Sequence, residues 1–282
     1  MEIVKAKNIG FCNGVDYSIK EALKLLETGD KIYCLGKIVH NDDVLVELEN
    51  KGLIFINNIE DALDGSLVIF RAHGEAIETY KKAEKRHIKV IDLTCGKVRA
   101  IHVKVQKYLK DCFIIVIGKK EHPEIIGTKS FAGDNSIVVS DIDDISKAYD
   151  LYNKQSLKKV YVCVQTTFSL NKYNLIIDKI KEVFKNVELI IDNTICSSSI
   201  DRQEETMKIA KKVKQMIVIG DKCSSNTKEL YNNSLKYCDN TVMVQNKDDL
   251  KDVVINDNSI GVVSGSSTPI EVVDSLIKEI TN

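Results

Sequence analysis

Three cysteines stand at a fixed distance from three glycines, and that spacing restricts the fold more than any other feature of the chain. Cys12, Cys95 and Cys196 are each followed by a helical pattern and then by a strand closing at Gly36-Lys37, Gly118-Lys119 and Gly220-Asp221-Lys222. The Cys-to-Gly offsets are 36 − 12 = 24, 118 − 95 = 23 and 220 − 196 = 24. A register kept over three passes is an internal repeat. Two of the cysteines end similar runs, Lys89-Val90-Ile91-Asp92-Leu93-Thr94-Cys95 and Leu189-Ile190-Ile191-Asp192-Asn193-Thr194-Ile195-Cys196. Their β-branched residues read as buried strands. The Asp and Thr are expected to end the strand and cap the helix that follows. A looser copy is Ile3-Val4 followed by Ile9-Gly10-Phe11-Cys12. Each cysteine is thus expected in a strand-to-helix turn, where backbone N–H groups favour a thiolate.

The passes share one course. In the first, Val15, Ile19, Ala22, Leu23 and Leu26 have helical spacing, and Ile32 to Leu35, Leu53 to Ile56 and Leu67 to Phe70 read as strands. The second repeats this with Phe113 to Ile117, Ile137 to Val139 and Val160 to Val164, the third with Met216 to Ile219, Thr241 to Val244 and Ile260 to Val263. Thr268 as N-cap and Pro269 at the first helical position are expected to open the final helix. The third pass then lacks its last strand, which Glu2 to Ala6 can supply. Strands alternating with helices give parallel sheets with sites at the carboxyl ends of the strands. The expected fold is α/β: three pseudo-threefold units, 14–96, 97–194 and 195–282, the last completed by 1–13. We expect them in a ring, or trefoil, with their loops directed at a shared centre.

Composition narrows the function. At 282 residues, 44% hydrophobic and 29% charged, the chain has ample material for a core. A net charge of −1 gives no support to a nucleic-acid partner. No apolar run reaches the length of a membrane span, and the first residues lack a signal-peptide pattern. Eight cysteines in such a chain point to the cytoplasm, where thiols serve metals or catalysis.

Nine stretches are expected at the centre: three cysteine turns, three Gly-Lys loops and three loops after the third strands. They bring Cys12, Cys95 and Cys196; His40, Asn41, His73, His122 and Glu124; and Thr166, Thr167, Ser224, Ser225, Asn226 and Ser267. Cys34, Cys112, Cys163 and Cys238 lie in or beside apolar strands and read as small hydrophobes. Cys223 lies in a ligand-facing loop. Three thiolates suit an iron–sulfur cluster. Zinc held by three cysteines and a histidine is the alternative, although spacings of 95 − 12 = 83 and 196 − 95 = 101 residues are unlike structural zinc sites. The loop histidines and Ser-rich helix starts make an anion pocket suited to phosphate. No phosphate-cradling loop and no dinucleotide fingerprint is present, so electrons must come from outside.

These residues carry a resemblance. Gly10-Phe11-Cys12-Asn13-Gly14-Val15, His40-Asn41, Ala72-His73-Gly74, Thr94-Cys95, Glu121-His122-Pro123-Glu124, Gln165-Thr166-Thr167, Thr194-Ile195-Cys196 with Arg202-Gln203, Ser224-Ser225-Asn226 and Gly265-Ser266-Ser267-Thr268-Pro269 resemble the LytB family of 4-hydroxy-3-methylbut-2-enyl diphosphate reductases. The likeness covers essentially the whole chain. It implies reductive loss of the substrate's allylic hydroxyl to give isopentenyl and dimethylallyl diphosphates, the last step of the methylerythritol phosphate isoprenoid route. It further implies one 4Fe–4S cluster on Cys12, Cys95 and Cys196, with the fourth iron open to substrate. His40, His73, His122, Thr166, Ser224, Ser225, Asn226 and Ser267 would bind substrate, and Glu124 with Thr166 would supply the proton. A ferredoxin or flavodoxin is the implied electron donor, with no membrane and no nucleic acid involved. Two residues depart from the family pattern: Gly96 where proline is usual, and Cys223 where asparagine is usual.

Two other classes compete. A non-catalytic iron–sulfur sensor explains the cysteines but gives no purpose to Glu124, the histidines or the serines. A phosphate-binding module or metal hydrolase explains the histidines but not three cysteines in register.

Overall fold

Strands rich in Val and Ile, with no polar residue alternating, are the mark of sheets covered on both faces, and such sheets are parallel. That is what the chain forms. The structure, a computed structural model, describes residues 2–255 and 259–281. It opens with β1 (Glu2–Lys5). A first pass runs α1 (Asn13–Leu26), β2 (Ile32–Leu35), α2 (Asp42–Asn50), β3 (Leu53–Ile56), a 3-10 turn at Ile59–Asp61, β4 (Leu67–Phe70), α3 (Ile77–Lys85) and β5 (Lys89–Asp92). The second runs α4 (Gly96–Tyr108), β6 (Cys112–Ile117), α5 (Pro123–Ala132), β7 (Ser136–Val139), α6 (Asp144–Tyr152), β8 (Lys159–Val164), α7 (Leu170–Val183) and β9 (Glu188–Ile191). The third runs α8 (Ser197–Ala210), β10 (Gln215–Ile219), α9 (Ser225–Leu235), β11 (Thr241–Val244), α10 (Lys247–Lys251), β12 (Ser259–Ser264) and α11 (Ile270–Thr281).

Three four-stranded sheets result, ordered β3-β2-β4-β5, β7-β6-β8-β9 and β11-β10-β12-β1. All nine strand pairings among the described residues are parallel. β1 occupies the place that β5 and β9 hold in the other sheets, with Glu2 opposite Ser259 and Lys5 opposite Val262. In every sheet the chain winds one way from the first central strand and the other way from the second. The crevice outside the carboxyl ends of those two strands, where winding reverses, is where α/β sheets bind ligands.

The chain divides into two compact units. One, of Met1–Tyr17, Val39–Glu47 and Cys196–Asn282, holds the sheet that includes β1. Its core includes Met216, Val218, Leu230 and Val263 on one face and Ile217, Ile219, Val262 and Leu276 on the other. The second unit, of Ser18–Ile38 and Leu48–Ile195, holds the other two sheets. They are joined through α3, α4 and α5. Ile77 N donates to Ser130 Oγ at 2.9 Å, and the His102 ring stacks on Phe131 at 4.4 Å. A Cβ at Gly127 would come within 3.3 Å of the Glu75 carbonyl oxygen, so glycine permits this close approach.

Two expected caps are made differently. Asp92 Oδ1 accepts from both the amide (3.0 Å) and the hydroxyl (2.5 Å) of Thr94, two residues on, and so braces the cysteine turn rather than the helix. Thr268 likewise donates its hydroxyl to Ile219 O at 3.3 Å, and the last helix begins at Ile270, with Val273 N bonded to Pro269 O.

Candidate active site

The three cysteines share one local geometry. Each immediately precedes a helix, and its carbonyl accepts an early helical bond: Asp16 N to Cys12 O (2.9 Å), Arg99 N to Cys95 O (2.9 Å) and Ile200 N to Cys196 O (3.0 Å). At such a position Ser, Thr, Asn or Asp would stabilise the helix by about 1 kcal/mol. Cys95 and Cys196 make no side-chain cap at all. A less favourable residue placed three times at the positive end of a helix is suited to holding thiolates. Each turn is pinned to the loop or strand end beside it. Cys12 N donates to Ser266 O at 3.1 Å and Cys95 N to Ala72 O at 3.0 Å, while the Thr194 hydroxyl bonds Val164 O.

The other thiols are built differently. Cys34, Cys112, Cys163 and Cys238 are buried, whereas Cys12, Cys95 and Cys196 are half-exposed and Cys223 is exposed; none of the eight is in a disulfide. Burial pushes the Cys34 thiol up to about 12 and raises Cys112 and Cys163 as well, so these stay protonated. Three accessible sulfurs at helix starts, set apart from four inert ones, are a donor set that fits an iron–sulfur cluster. Among the described residues no three His, Cys, Asp or Glu side chains gather as closely as a single metal ion requires.

In the second unit Glu124, the acid expected from the sequence, lies in the first turn of α5. His122 is the N-cap of α5, its Nδ1 accepting from Glu124 N at 3.2 Å, so in the neutral ring Nε2 carries the proton. Glu124 is 2% exposed. Its Oε1 accepts from Thr166 N and its Oε2 from the Thr166 hydroxyl, both at 2.6 Å. Burial pushes the carboxyl up to about 7, against the pull of the two Thr166 bonds. An amide can only donate, so the proton belongs on Oε2, where the Thr166 hydroxyl can turn to accept it. His73 meets His122 edge to face, with ring centroids 5.5 Å apart. Gln165, to which sequence pattern assigns no role, ties the loops together. It accepts from Lys119 N at 3.1 Å and donates to the Thr167 hydroxyl at 3.0 Å.

The first unit supplies a polar corner at the start of α9. Ser224 is the N-cap, accepting from Thr227 N at 3.4 Å, and the Ser267 hydroxyl lies 3.5 Å from the Ser224 hydroxyl. Asn226 is 3% exposed, and its Nδ2 is buried with no hydrogen-bond partner, as is the Thr227 hydroxyl. An unmet buried donor costs about 1–3 kcal/mol, which a ligand acceptor would recover. Ser225 is the first residue of the helix, half-buried. A Cβ at Gly265 would overlap the Thr227 hydroxyl, so only glycine lets that loop come so near. His40 is half-buried, and Asn41 caps α2 by accepting from Val44 N at 3.1 Å. Cys12, His40, Cys196, Ser224, Ser225, Asn226 and Ser267 thus belong to one unit; His73, Cys95, His122, Glu124 and Thr166 belong to the other. Of the two departures, Gly96 has open space around its missing Cβ, and Cys223 donates its amide to Asp221 Oδ1 at 2.5 Å.

Cysteine-led helices, a buried acid and a helix start with an unmet buried donor, on an all-parallel α/β frame, are the parts of an enzyme site. The comparisons with known proteins define it further. The family model described as LytB protein matches residues 3–281. The 4-hydroxy-3-methylbut-2-enyl diphosphate reductase of Petrotoga mobilis is 37% identical over 274 residues, 95% of this chain and 93% of that one. The solved structure of the E-1-hydroxy-2-methyl-but-2-enyl-4-diphosphate reductase from Plasmodium falciparum is 33% identical and superposes with a TM-score of 0.90 over 99% of this chain and 88% of that chain. A second solved structure, of (E)-4-hydroxy-3-methyl-but-2-enyl diphosphate reductase, described as the terminal enzyme of the non-mevalonate pathway, is also 33% identical, with a TM-score of 0.70 over 99% and 100%. The chain belongs to the LytB family of 4-hydroxy-3-methylbut-2-enyl diphosphate reductases and is an oxidoreductase.

Proposed function

We propose that the chain removes the allylic hydroxyl of (E)-4-hydroxy-3-methylbut-2-enyl diphosphate to give isopentenyl and dimethylallyl diphosphates plus water. The step takes two electrons and two protons. The C–O bond breaks, one proton leaves with the oxygen as water, and the other ends on carbon. Cys12, Cys95 and Cys196 would hold one 4Fe–4S cluster. When bound, that cluster supplies electrons one at a time and an iron without a protein ligand that can act as a Lewis acid. The electrons come from an external ferredoxin or flavodoxin. Among the described residues no helix is long and apolar enough to cross a membrane, and we place the reaction in the cytoplasm.

The rest is the work of side chains. Ser224, Ser225, Asn226 and Ser267 offer donors at a helix start, a natural seat for a diphosphate. His40, His73 and His122 add further donors, His122 through Nε2–H. Glu124 holds its proton on Oε2, and the Thr166 hydroxyl can pass it to the leaving oxygen. A carboxyl near 7 is poised for this, since a general acid works best with a pKa close to the operating pH. Losing hydroxide from carbon is slow and losing water is not, so that proton governs the rate.

The observation that carries this reading is the threefold recurrence of cysteine at a helix start, with the buried acid Glu124 as further support. Anaerobic reconstitution tests it. Serine at Cys12, Cys95 or Cys196 should lower iron and sulfide per chain and abolish turnover of the allylic diphosphate. Serine at Cys34, Cys112 or Cys163 should change stability and leave iron loading alone. The reverse pattern would show that the wrong thiols have been assigned.

A further inference from the structure

Residues 7–12 cross from β1 to α1, and two side chains of α8 grip that crossing. Glu205 accepts from Lys7 N at 2.7 Å and from Asn8 N and Nδ2 at 3.0 and 3.1 Å. Arg202, three residues earlier on the same helix face, donates through Nη2 to Gly10 O at 2.8 Å and through Nη1 to Ser264 O at 3.0 Å. The Ser264 hydroxyl in turn accepts from Gly10 N at 2.9 Å. Gly10, two residues before Cys12, is therefore held at both its amide and its carbonyl, at a φ of 83° that suits glycine.

Arg202 is 4% exposed, unusual for a guanidinium. Burial lowers its pKa, and the charges that oppose this are first Cys12 and then Glu205. Its Nε is buried with no hydrogen-bond partner, so the fork still has one donor to give. The Cys95 turn is held otherwise, by Arg99 of its own helix, a half-exposed side chain bonded to Asp92.

We propose that Arg202 is the positioning residue for the first cysteine ligand. From the helix opened by Cys196, one guanidinium locks the turn of Cys12 and sets two of the three thiols before iron arrives. Bonded to Gly10 O, two residues before Cys12, it also brings a fixed positive charge into that turn, a second half of the proposal that rests on the cluster assignment. Neither half follows from the sequence motif, where Arg202 is only a residue six places after a cysteine.

Amide exchange on the full-length, cluster-free chain tests the first half. Arg202→Gln should speed exchange at residues 10–16 at least tenfold and leave β6 and β8 as protected as before. Anaerobic reconstitution tests the second half: iron and sulfide per chain should fall, and the midpoint potential should become more negative. Arg202→Lys keeps the charge but loses the fork, so it should restore the potential and not the exchange protection. If Arg202→Gln does not fold, Ser264→Ala removes only the bond to Gly10 N and should give a smaller effect in the same segment. Unchanged exchange at residues 10–16 in Arg202→Gln, or in Ser264→Ala if that is the variant that folds, overturns the lock, and an unchanged potential in Arg202→Gln overturns the charge. A wild-type chain that takes up no iron overturns the cluster reading instead, with the exchange result unaffected.

Discussion

Helices α5 and α9 leave equivalent strands, β6 and β10, and start alike. Each is capped by a polar side chain, His122 in one and Ser224 in the other, and each buries its second residue, Glu124 or Asn226. They differ in what stands opposite. Glu124 is met by both the amide and the hydroxyl of Thr166, whereas Asn226 Nδ2 meets no hydrogen-bond partner. A helix start favours an anion. At α5 the protein brings its own ionisable group and buries it until it keeps a proton near neutrality. At α9 it brings only neutral donors and leaves the negative charge to a ligand. In the proposed function, one backbone frame thus serves acid chemistry in one place and anion binding in the other, through changes at the cap, at the second helical residue and in the group that faces it.

The largest expected break in this contrast is Glu124→Gln. It keeps shape and hydrogen bonds but removes the transferable proton. Anaerobic turnover should fall by roughly 10² or more, the usual worth of a positioned general acid, with substrate affinity nearly unchanged. Near-normal turnover would strip α5 of its acid role and turn attention to His122.

The same variant carries a stability signature. The carboxyl titrates near 7 in the folded chain and near 4.5 when exposed. Between those values the folded state binds the extra proton, so the wild type loses stability as pH rises through this window. The loss is fully developed above 7 and absent below 4.5, roughly 3 kcal/mol in all. Glu124→Gln has no such loss. Urea unfolding of the cluster-free chain at pH 4.5 and pH 8 should show the variant gaining on wild type by that amount, and a constant gap would contradict it.

Copying α5 into α9 sharpens the contrast from the other side. Asn226→Asp places a carboxylate where a diphosphate is expected. KM should rise about tenfold or more, for the loss of a donor to a charged group, while kcat moves less. An unchanged KM would remove Asn226 from the substrate. The smallest effect is at Gly96. Pro123 opens α5 at the first helical position, and Gly96 stands at that position in α4 with open space around it. Cys95, at φ −53° and ψ 135°, already has the extended backbone that a following proline requires. Gly96→Pro should therefore stabilise the chain by about 0.4–1 kcal/mol, read from urea midpoints, with iron loading kept.

Where the chain speaks through short-range pattern, the sequence was readable. The apolar β-branched runs ended within two residues of the observed strands, and the Cys-to-Gly offsets matched one sheet topology used three times. The pairing of β1 with β12 followed from counting strands. The pairing of Glu124 with Thr166, 42 positions apart, was reached through the family motif. What stayed hidden depends on competition or on distance. Asp92 looks like a helix cap, but a nearer amide and hydroxyl at Thr94 claim it first. Histidine is not a preferred cap, so the bond from Glu124 N to His122 Nδ1 has no signature in composition. Arg202 finds Gly10 across 192 positions, and nothing local to either residue announces it.

Among the described residues, β1 pairs only with β12, more than 250 residues further along. On a ribosome adding about 5–20 residues per second, roughly 12–50 s separate the synthesis of the two strands. The two sheets of the second unit can form during that interval, because all their strands lie between residues 32 and 191. Cys12 is therefore made long before Arg202 and Ser264, the residues that hold its turn through Gly10. On the proposed ligand set, iron meets a held Cys12 turn only after residue 264 has been made.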